Sequence, residues 1–170
     1  HGETPIVPPT HAWAQCTPEH TATPPGLSLV DTGARLYTQK GCVTCHGPAG
    51  RGGVPNDNST RGTVPAHDTT AEKFFLRTRE DAEAFIRALE ASGDLSAAGD
   101  TGIPSFPIVR ARFLNARDII KRGRFTTGLD PRGPLPPLQM PAWQFLLEER
   151  EIDALLAYFV SLQSWDDGRR

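Results

Sequence analysis

Residues 42–46 read Cys-Val-Thr-Cys-His, and this short run constrains the chain more tightly than any other part of the sequence. Two thiols at this spacing, followed at once by an imidazole, form the attachment signature of c-type haem. Cys42 and Cys45 would each add to one haem vinyl group, and His46 would bind the iron. The motif therefore predicts a fold built around one covalently held macrocycle.

A Cys-x-x-Cys pair also occurs in zinc sites and in redox-active dithiols. A zinc site needs two more ligands, yet the only other cysteine is Cys16, and no closely spaced histidine pair follows the motif. A thioredoxin-like dithiol expects a βαβ setting, whereas the flanking sequence reads as helical. We therefore favour haem attachment. Cys16 is then an odd thiol, either buried and inert or paired with a cysteine of another chain.

The length of 170 residues favours one domain, and the net charge of −2 argues against a nucleic-acid partner. The 16 prolines and 16 glycines predict long loops that join few regular elements. Residues 1–28 hold six of these prolines, which indicates an extended N-terminal arm. No stretch approaches the roughly 20 apolar residues of a membrane-spanning helix. No charged, apolar leader opens the chain, so we expect an exported protein whose signal has been removed.

Hydrophobic periodicity predicts four helices, of which two precede residue 95. The first begins with Asp31 as its N-cap and continues to the haem motif. The second follows Thr78, whose spacing to Asp81 resembles a capping box, and Gly93 should end it. Between them, the glycine-rich residues 47–62 read as a loop with turn-forming asparagines.

The other two predicted helices lie in the C-terminal half. A short one should run from Asn115, as N-cap, to Arg122. A proline-rich stretch, 130–141, then leads stiffly to Met140, the only methionine. The last helix is the clearest, because acidic residues open it and an apolar stripe follows at helical spacing. That stripe consists of Ile152, Leu155, Leu156, Phe159 and Val160.

The order of these elements resembles class I monohaem cytochrome c. The matching stretches are Gly33–Tyr37, Gly41–Gly47, Met140–Trp143 and Glu151–Tyr158. The resemblance implies an all-α fold, with few helices wrapped around one covalently bound haem c and with long Pro/Gly-rich loops. It also implies that the first and last helices cross at Gly33, Tyr37 and Tyr158. The cytochrome c domain would span 29–170, and residues at about 67–112 would be an insertion.

The resemblance assigns the remaining site residues. It implies that the Pro65 carbonyl accepts a hydrogen bond from the free ring nitrogen of His46, which fixes the ligand's orientation. It makes Met140 the distal iron ligand, and a thioether there raises the reduction potential. His67 is the chief rival for this position, followed by His11 and His20. Trp143 could pack on the haem edge and donate to a propionate. Weaker propionate candidates are Arg124, Arg132 and Gln144.

These residues imply a carrier of single electrons between redox partners of a respiratory or photosynthetic chain, and not an enzyme. The alternative is a haem enzyme or gas sensor with an open distal site. Six basic residues between Arg110 and Arg124 could steer an acidic partner, or could be an ordinary solvated helix face. Two stretches, Gly52–Asn56 and Pro134–Met140, are similar to monohaem cytochromes of bacterial complexes such as alternative complex III. Haem attachment of this kind implies the periplasm or the outer face of the cytoplasmic membrane.

Overall fold

The computed structural model describes residues 26–92, 95 and 101–165, and these form an all-helical fold. The helices are α1 (Leu29–Gln39), α2 (Cys42–His46), α3 (Thr70–Lys73), α4 (Arg79–Ser92), α5 (Phe106–Arg122) and α6 (Glu149–Ser161). Within those ranges the only β pairing consists of three isolated bridges. The predicted arm, including Cys16, His11 and His20, lies almost wholly outside the described residues, as does the predicted stop at Gly93.

The two terminal helices, α1 and α6, cross in close contact at Gly33. A Cβ atom at Gly33 would lie 2.0 Å from the carbonyl oxygen of Ala154 and 2.7 Å from the Cβ of Tyr158. The rings of Tyr37 and Tyr158 pack beside this point with their centroids 5.5 Å apart. Glycine therefore allows the two backbones to approach closely, as the resemblance implied.

Helix α4, from the predicted insertion, packs into the same core as the terminal helices. The Phe85 ring is fully buried and lies 5.8 Å from the rings of Phe74 and Phe113. Arg150 of α6 donates from Nη1 to the Leu89 carbonyl, at 2.5 Å, at the C-terminal end of α4. Helix α4 thus supplies apolar surface and joins α6, because a cation stabilises the exposed carbonyls at a helix end.

Helix α5 is tied to α6 by a buried ion pair. Asp153 is fully buried, and its carboxylate lies 3.0 Å from Nε of Arg117, whose side chain is 15% exposed. Arg117 also lies 3.0 Å from the carboxylate of Glu149. A buried carboxylate is tolerated only beside a compensating charge, so this pair fixes how the two helices meet.

Two predicted helix starts were wrong. Helix α1 begins at Leu29, and its N-cap is Ser28, whose hydroxyl accepts a 3.1 Å bond from the Asp31 backbone N–H. It also ends at Gln39, so the haem motif forms a separate short helix. Helix α5 begins at Phe106, a full nine residues before Asn115. Its first turn contains Pro107, which is tolerated because the first N–H groups of a helix have no intrahelical acceptor.

The other two predicted starts were confirmed. Thr78 and Asp81 form the reciprocal box at the start of α4, with two bonds of 3.1 Å between side chains and backbone N–H groups. Helix α6 opens with a second box, between Glu148 and Glu151. In both cases the side chains satisfy N–H groups that the helix itself leaves without acceptors.

Candidate haem-binding site

The haem-binding motif forms the short helix α2, which is separated from α1 by a residue with left-handed backbone conformation. Gly41 has a φ of +77°, a conformation that glycine adopts without steric cost. The Cys42 and Cys45 thiols are both free and partly exposed, on the same short helix. Burial raises the pKa of the Cys42 thiol. Both thiols are free and partly exposed, so each can be reached for thioether formation, even though burial disfavours ionisation of Cys42.

The His46 ring is held in one orientation by a backbone carbonyl. Its Nδ1 lies 3.1 Å from the Pro65 oxygen, and because a carbonyl can only accept, Nδ1 carries the proton. This leaves Nε2 with its lone pair free. Burial lowers the pKa of His46, an effect that the bond to Pro65 partly opposes, so the ring stays neutral and able to bind a metal. This is the contact that the resemblance implied for Pro65.

The loop after His46 depends on glycines to bring Pro65 within reach. Gly52 donates its N–H to the His46 carbonyl at 2.8 Å. A Cβ at Gly52 would lie 2.7 Å from the backbone nitrogen of Ala66, and its φ is +65°. On the other side, the buried Tyr37 hydroxyl donates to the Gly47 carbonyl at 2.5 Å. The loop is therefore fixed at both ends against the elements that carry His46.

His67 lies beside His46 and packs into the protein. Its ring stacks on Phe159, with centroids 4.1 Å apart and planes 10° from parallel, and its centroid is 4.3 Å from that of His46. Its backbone N–H donates to the Gly50 carbonyl at 2.6 Å. Burial, and then the nearby His46 and Lys73, lower the pKa of His67 to about 3. The sequence offered His67 as a rival distal ligand and did not indicate this packing.

Met140 lies in a backbone pairing that follows α5. Its carbonyl accepts from the Arg124 N–H at 2.9 Å, and its own N–H donates to the Arg124 carbonyl at 3.2 Å. A Cβ at Gly123 would lie 2.5 Å from the Met140 carbonyl oxygen, so glycine is required where the chain leaves α5. Trp143 is partly buried against the core, and its backbone N–H donates to the carbonyls of Lys121, at 3.1 Å, and Ile120, at 3.2 Å.

The sequence offered Asn56 and Asn58 only as turn formers, yet both bond to residues 124–140, called here the Met140 loop. Asn56 is 2% exposed, and its amide makes two bonds to the backbone of Leu138, two residues before Met140. Asn58 bonds the backbone at Asp130 and Pro134. The sequence showed only that these asparagines favour turns; neither the burial of Asn56 nor the identity of the bonded backbone could be inferred from it.

The weaker propionate candidates, Arg124, Arg132 and Gln144, are all exposed.

The basic residues between Arg110 and Arg124 carry less uncompensated positive charge than their number in the sequence indicates. Arg117 and Lys121 pair with Glu149, and Arg122 pairs with Asp118 at 2.7 Å. Much of the positive charge between residues 110 and 124 is thus compensated within the protein, which weakens the idea of a steering patch there.

Among the described residues, no group of three or more histidine, cysteine or carboxylate side chains is arranged to hold a metal ion. The donors that are present fit haem c: two free thiols, a neutral imidazole with Nε2 available, and a thioether on an anchored loop. A protein with this motif and an all-helical fold is a c-type haem protein.

The sequence model of the family described as Cytochrome c matches residues 30–163. The chain belongs to the cytochrome c family, and it carries covalently attached haem c with its iron. No curated protein and no solved structure matches the chain. None of the helices in the described part of the chain is long and apolar enough to cross a membrane.

Proposed function

We propose that this cytochrome is a monohaem carrier of single electrons in which His46 and Met140 would both bind the haem iron. One observation carries the proposal: the Pro65 carbonyl accepts a hydrogen bond from Nδ1 of His46, which leaves the lone pair of Nε2 free to bind iron beside Cys45. When bound, haem c supplies a one-electron Fe(III)/Fe(II) couple. An electron carrier needs iron ligands that stay in place in both oxidation states. The bond from His46 to Pro65 and the bonds that hold the segment around Met140 would keep both ligands in place.

Met140 is the best candidate for the second ligand. Methionine is a common distal ligand of c-type cytochromes, where it raises the reduction potential. The segment around Met140 is paired with Arg124 and bonded to Asn56 through Leu138, so it is held against the body of the protein. Two protein ligands leave the iron without an open position for a substrate, and this favours electron transfer over catalysis.

His67 is a poor candidate for the distal position. Its ring contacts the ring of His46 and stacks on Phe159, so it belongs to the wall beside the proximal ligand. To bind the iron together with His46, the ring of His67 would have to leave its contacts with both His46 and Phe159. We therefore assign His67 a packing role beside His46 and leave Met140 as the second ligand.

The protein acts between redox partners, as cytochromes of this family generally do. We propose that it works in the periplasm or on the outer face of the cytoplasmic membrane, where haem is attached to such motifs. Its partner there would be a membrane-bound respiratory or photosynthetic complex. The insertion helix α4 supports a role as a subunit or docked component, because it adds folded surface that electron transfer alone does not require.

Substitution at Met140 tests the proposal directly. Met140→Ala should open the distal position, so the reduced protein should bind carbon monoxide, whereas the wild type should not. Met140→His should keep six ligands but lower the reduction potential, because imidazole stabilises Fe(II) less well than a thioether does.

The matched control is His67→Leu, which should leave carbon monoxide binding absent. Carbon monoxide binding in His67→Leu but not in Met140→Ala would show that His67 is the ligand. Binding in the wild type would instead support a haem enzyme or gas sensor.

A further inference from the structure

Asn56 and Asn58 lie in the loop that follows the haem motif, yet their side chains bond to the chain near Met140. Asn56 donates from Nδ2 to the Leu138 carbonyl at 3.0 Å and accepts from the Leu138 N–H at 2.9 Å. One side chain thus satisfies both backbone groups of a single residue. We propose that Asn56 and Asn58 are positioning residues that keep Met140 on the iron, an inference that rests on the proposed role of Met140.

Asn58 makes the second attachment. Its Nδ2 donates to the carbonyls of Pro134, at 2.5 Å, and Asp130, at 3.2 Å. Its Oδ1 accepts from the Asp130 N–H at 2.8 Å, and its own carbonyl accepts from the Leu129 N–H at 2.6 Å. The backbone of Asn58 is left-handed, with a φ of +56°, a conformation for which asparagine is among the few suitable side chains.

The Met140 loop has few internal hydrogen bonds with which to hold itself. Prolines occupy five positions between residues 131 and 141, and proline has no backbone N–H to donate. The internal bonds include those of Gln139, which accepts from the Thr126 N–H at 2.5 Å and donates to the Pro136 carbonyl at 2.8 Å. A loop so short of donors depends on side chains from elsewhere, and the asparagines supply them.

The segment that carries these asparagines is itself rigid and reaches the proximal side. Asn56 donates its backbone N–H to the Gly62 carbonyl at 2.9 Å, and Val64 donates to Val54 at 2.8 Å. The next residue after Val64 is Pro65, the partner of His46. One folded loop therefore contacts the backbone beside Met140 and the ring of the proximal ligand.

Competition by added imidazole measures how firmly Met140 is held. Added imidazole can bind ferric iron only in molecules whose Met140 is not bound to it. The apparent affinity for imidazole is therefore proportional to the fraction of such molecules. Asn56→Ala leaves the Leu138 N–H without a partner and leaves the Leu138 carbonyl only the 3.3 Å bond from the Thr126 hydroxyl. Asn58→Gly removes three side-chain bonds. We expect each substitution to tighten apparent imidazole binding by about tenfold. Asn58→Gly keeps the left-handed backbone accessible, so it isolates the hydrogen bonds.

The matched control is Asn115→Ala, an exposed asparagine on α5, which should leave imidazole affinity within twofold of the wild type. Hydrogen exchange should also rise across residues 124–140 in the two variants while α1 and α6 keep their protection. Should Asn56→Ala fold poorly, Asn58→Gly carries the test.

Two failures are distinguishable. If the wild type lacks the methionine-to-iron charge-transfer band, then the proposed ligation is wrong, and the inference about the asparagines fails with it. If the wild type shows the band but neither variant changes imidazole affinity or loop exchange, then Met140 is a ligand that these asparagines do not hold. The inference alone is then overturned.

Discussion

Gly33→Ala tests the helix crossing on which the fold depends. The added methyl would lie 2.0 Å from the Ala154 carbonyl oxygen and 2.6 Å from its carbon, against an ordinary contact of 3.4–4 Å. Both atoms belong to the backbone of α6, so no side-chain rotation relieves the clash, and the helices must separate by more than an ångström. Overpacking of this kind costs about 1–3 kcal/mol, and more where backbone must move.

Helix propensity opposes this cost, because alanine in place of glycine favours a helix by about 1 kcal/mol. Because backbone must move, the overpacking cost lies at the upper end of its range, so after subtracting the propensity gain we expect the free energy of unfolding to fall by about 2 kcal/mol and the melting temperature by roughly 4–8 °C. Guanidinium unfolding, followed by circular dichroism, measures the loss. The exposed Thr38 provides the control, since the difference between Thr38→Ala and Thr38→Gly reports propensity in the same helix. A Gly33→Ala variant as stable as the wild type would refute the close crossing.

Three further substitutions have defined outcomes. Arg117→Ala should cost about 3 kcal/mol in chemical denaturation, because it removes the charge beside buried Asp153, whereas the exposed Arg122→Ala should cost under about 0.5 kcal/mol. Equal losses would contradict this. Burial raises the pKa of Tyr37 from 10.0 to about 12, so the unfolded phenol ionises first and stability should fall as the pH rises between these values. Tyr37→Phe should flatten that decline, and an unchanged profile would exclude Tyr37. Cys42→Ala should retain haem through one thioether and red-shift the pyridine haemochrome band, because one vinyl group stays conjugated. An unshifted band would mean that Cys42 forms no bond to haem.

The sequence predicted most accurately where local chemistry decides structure. The predicted capping box at Thr78 is a short-range pattern, and so are the acidic residues that were expected to open the last helix. The contact between His46 and Pro65 was anticipated for a different reason, because the family resemblance implied it. The close crossing of α1 and α6 at Gly33 was also anticipated from the family resemblance, because hydrophobic periodicity does not show where two helices cross.

The sequence predicted poorly where distant segments decide structure. The first half of α5 is stabilised by the burial of Val109 and Phe113 in a core that only the folded chain assembles. The neighbouring Pro107 concealed its start. The partners of Asn56 lie 82 positions away, and no local pattern indicates them. His67 was missed similarly, because its burial depends on Phe159 of α6.

The most direct test of the account is the visible spectrum of the purified protein, oxidised and then reduced, with carbon monoxide added to the reduced sample. The account predicts a weak methionine-to-ferric-iron charge-transfer band at the red end of the oxidised spectrum, and no response to carbon monoxide. Absence of that band together with prompt carbon monoxide binding would contradict it, because the iron would then have an open position and electron transfer would not be its main role.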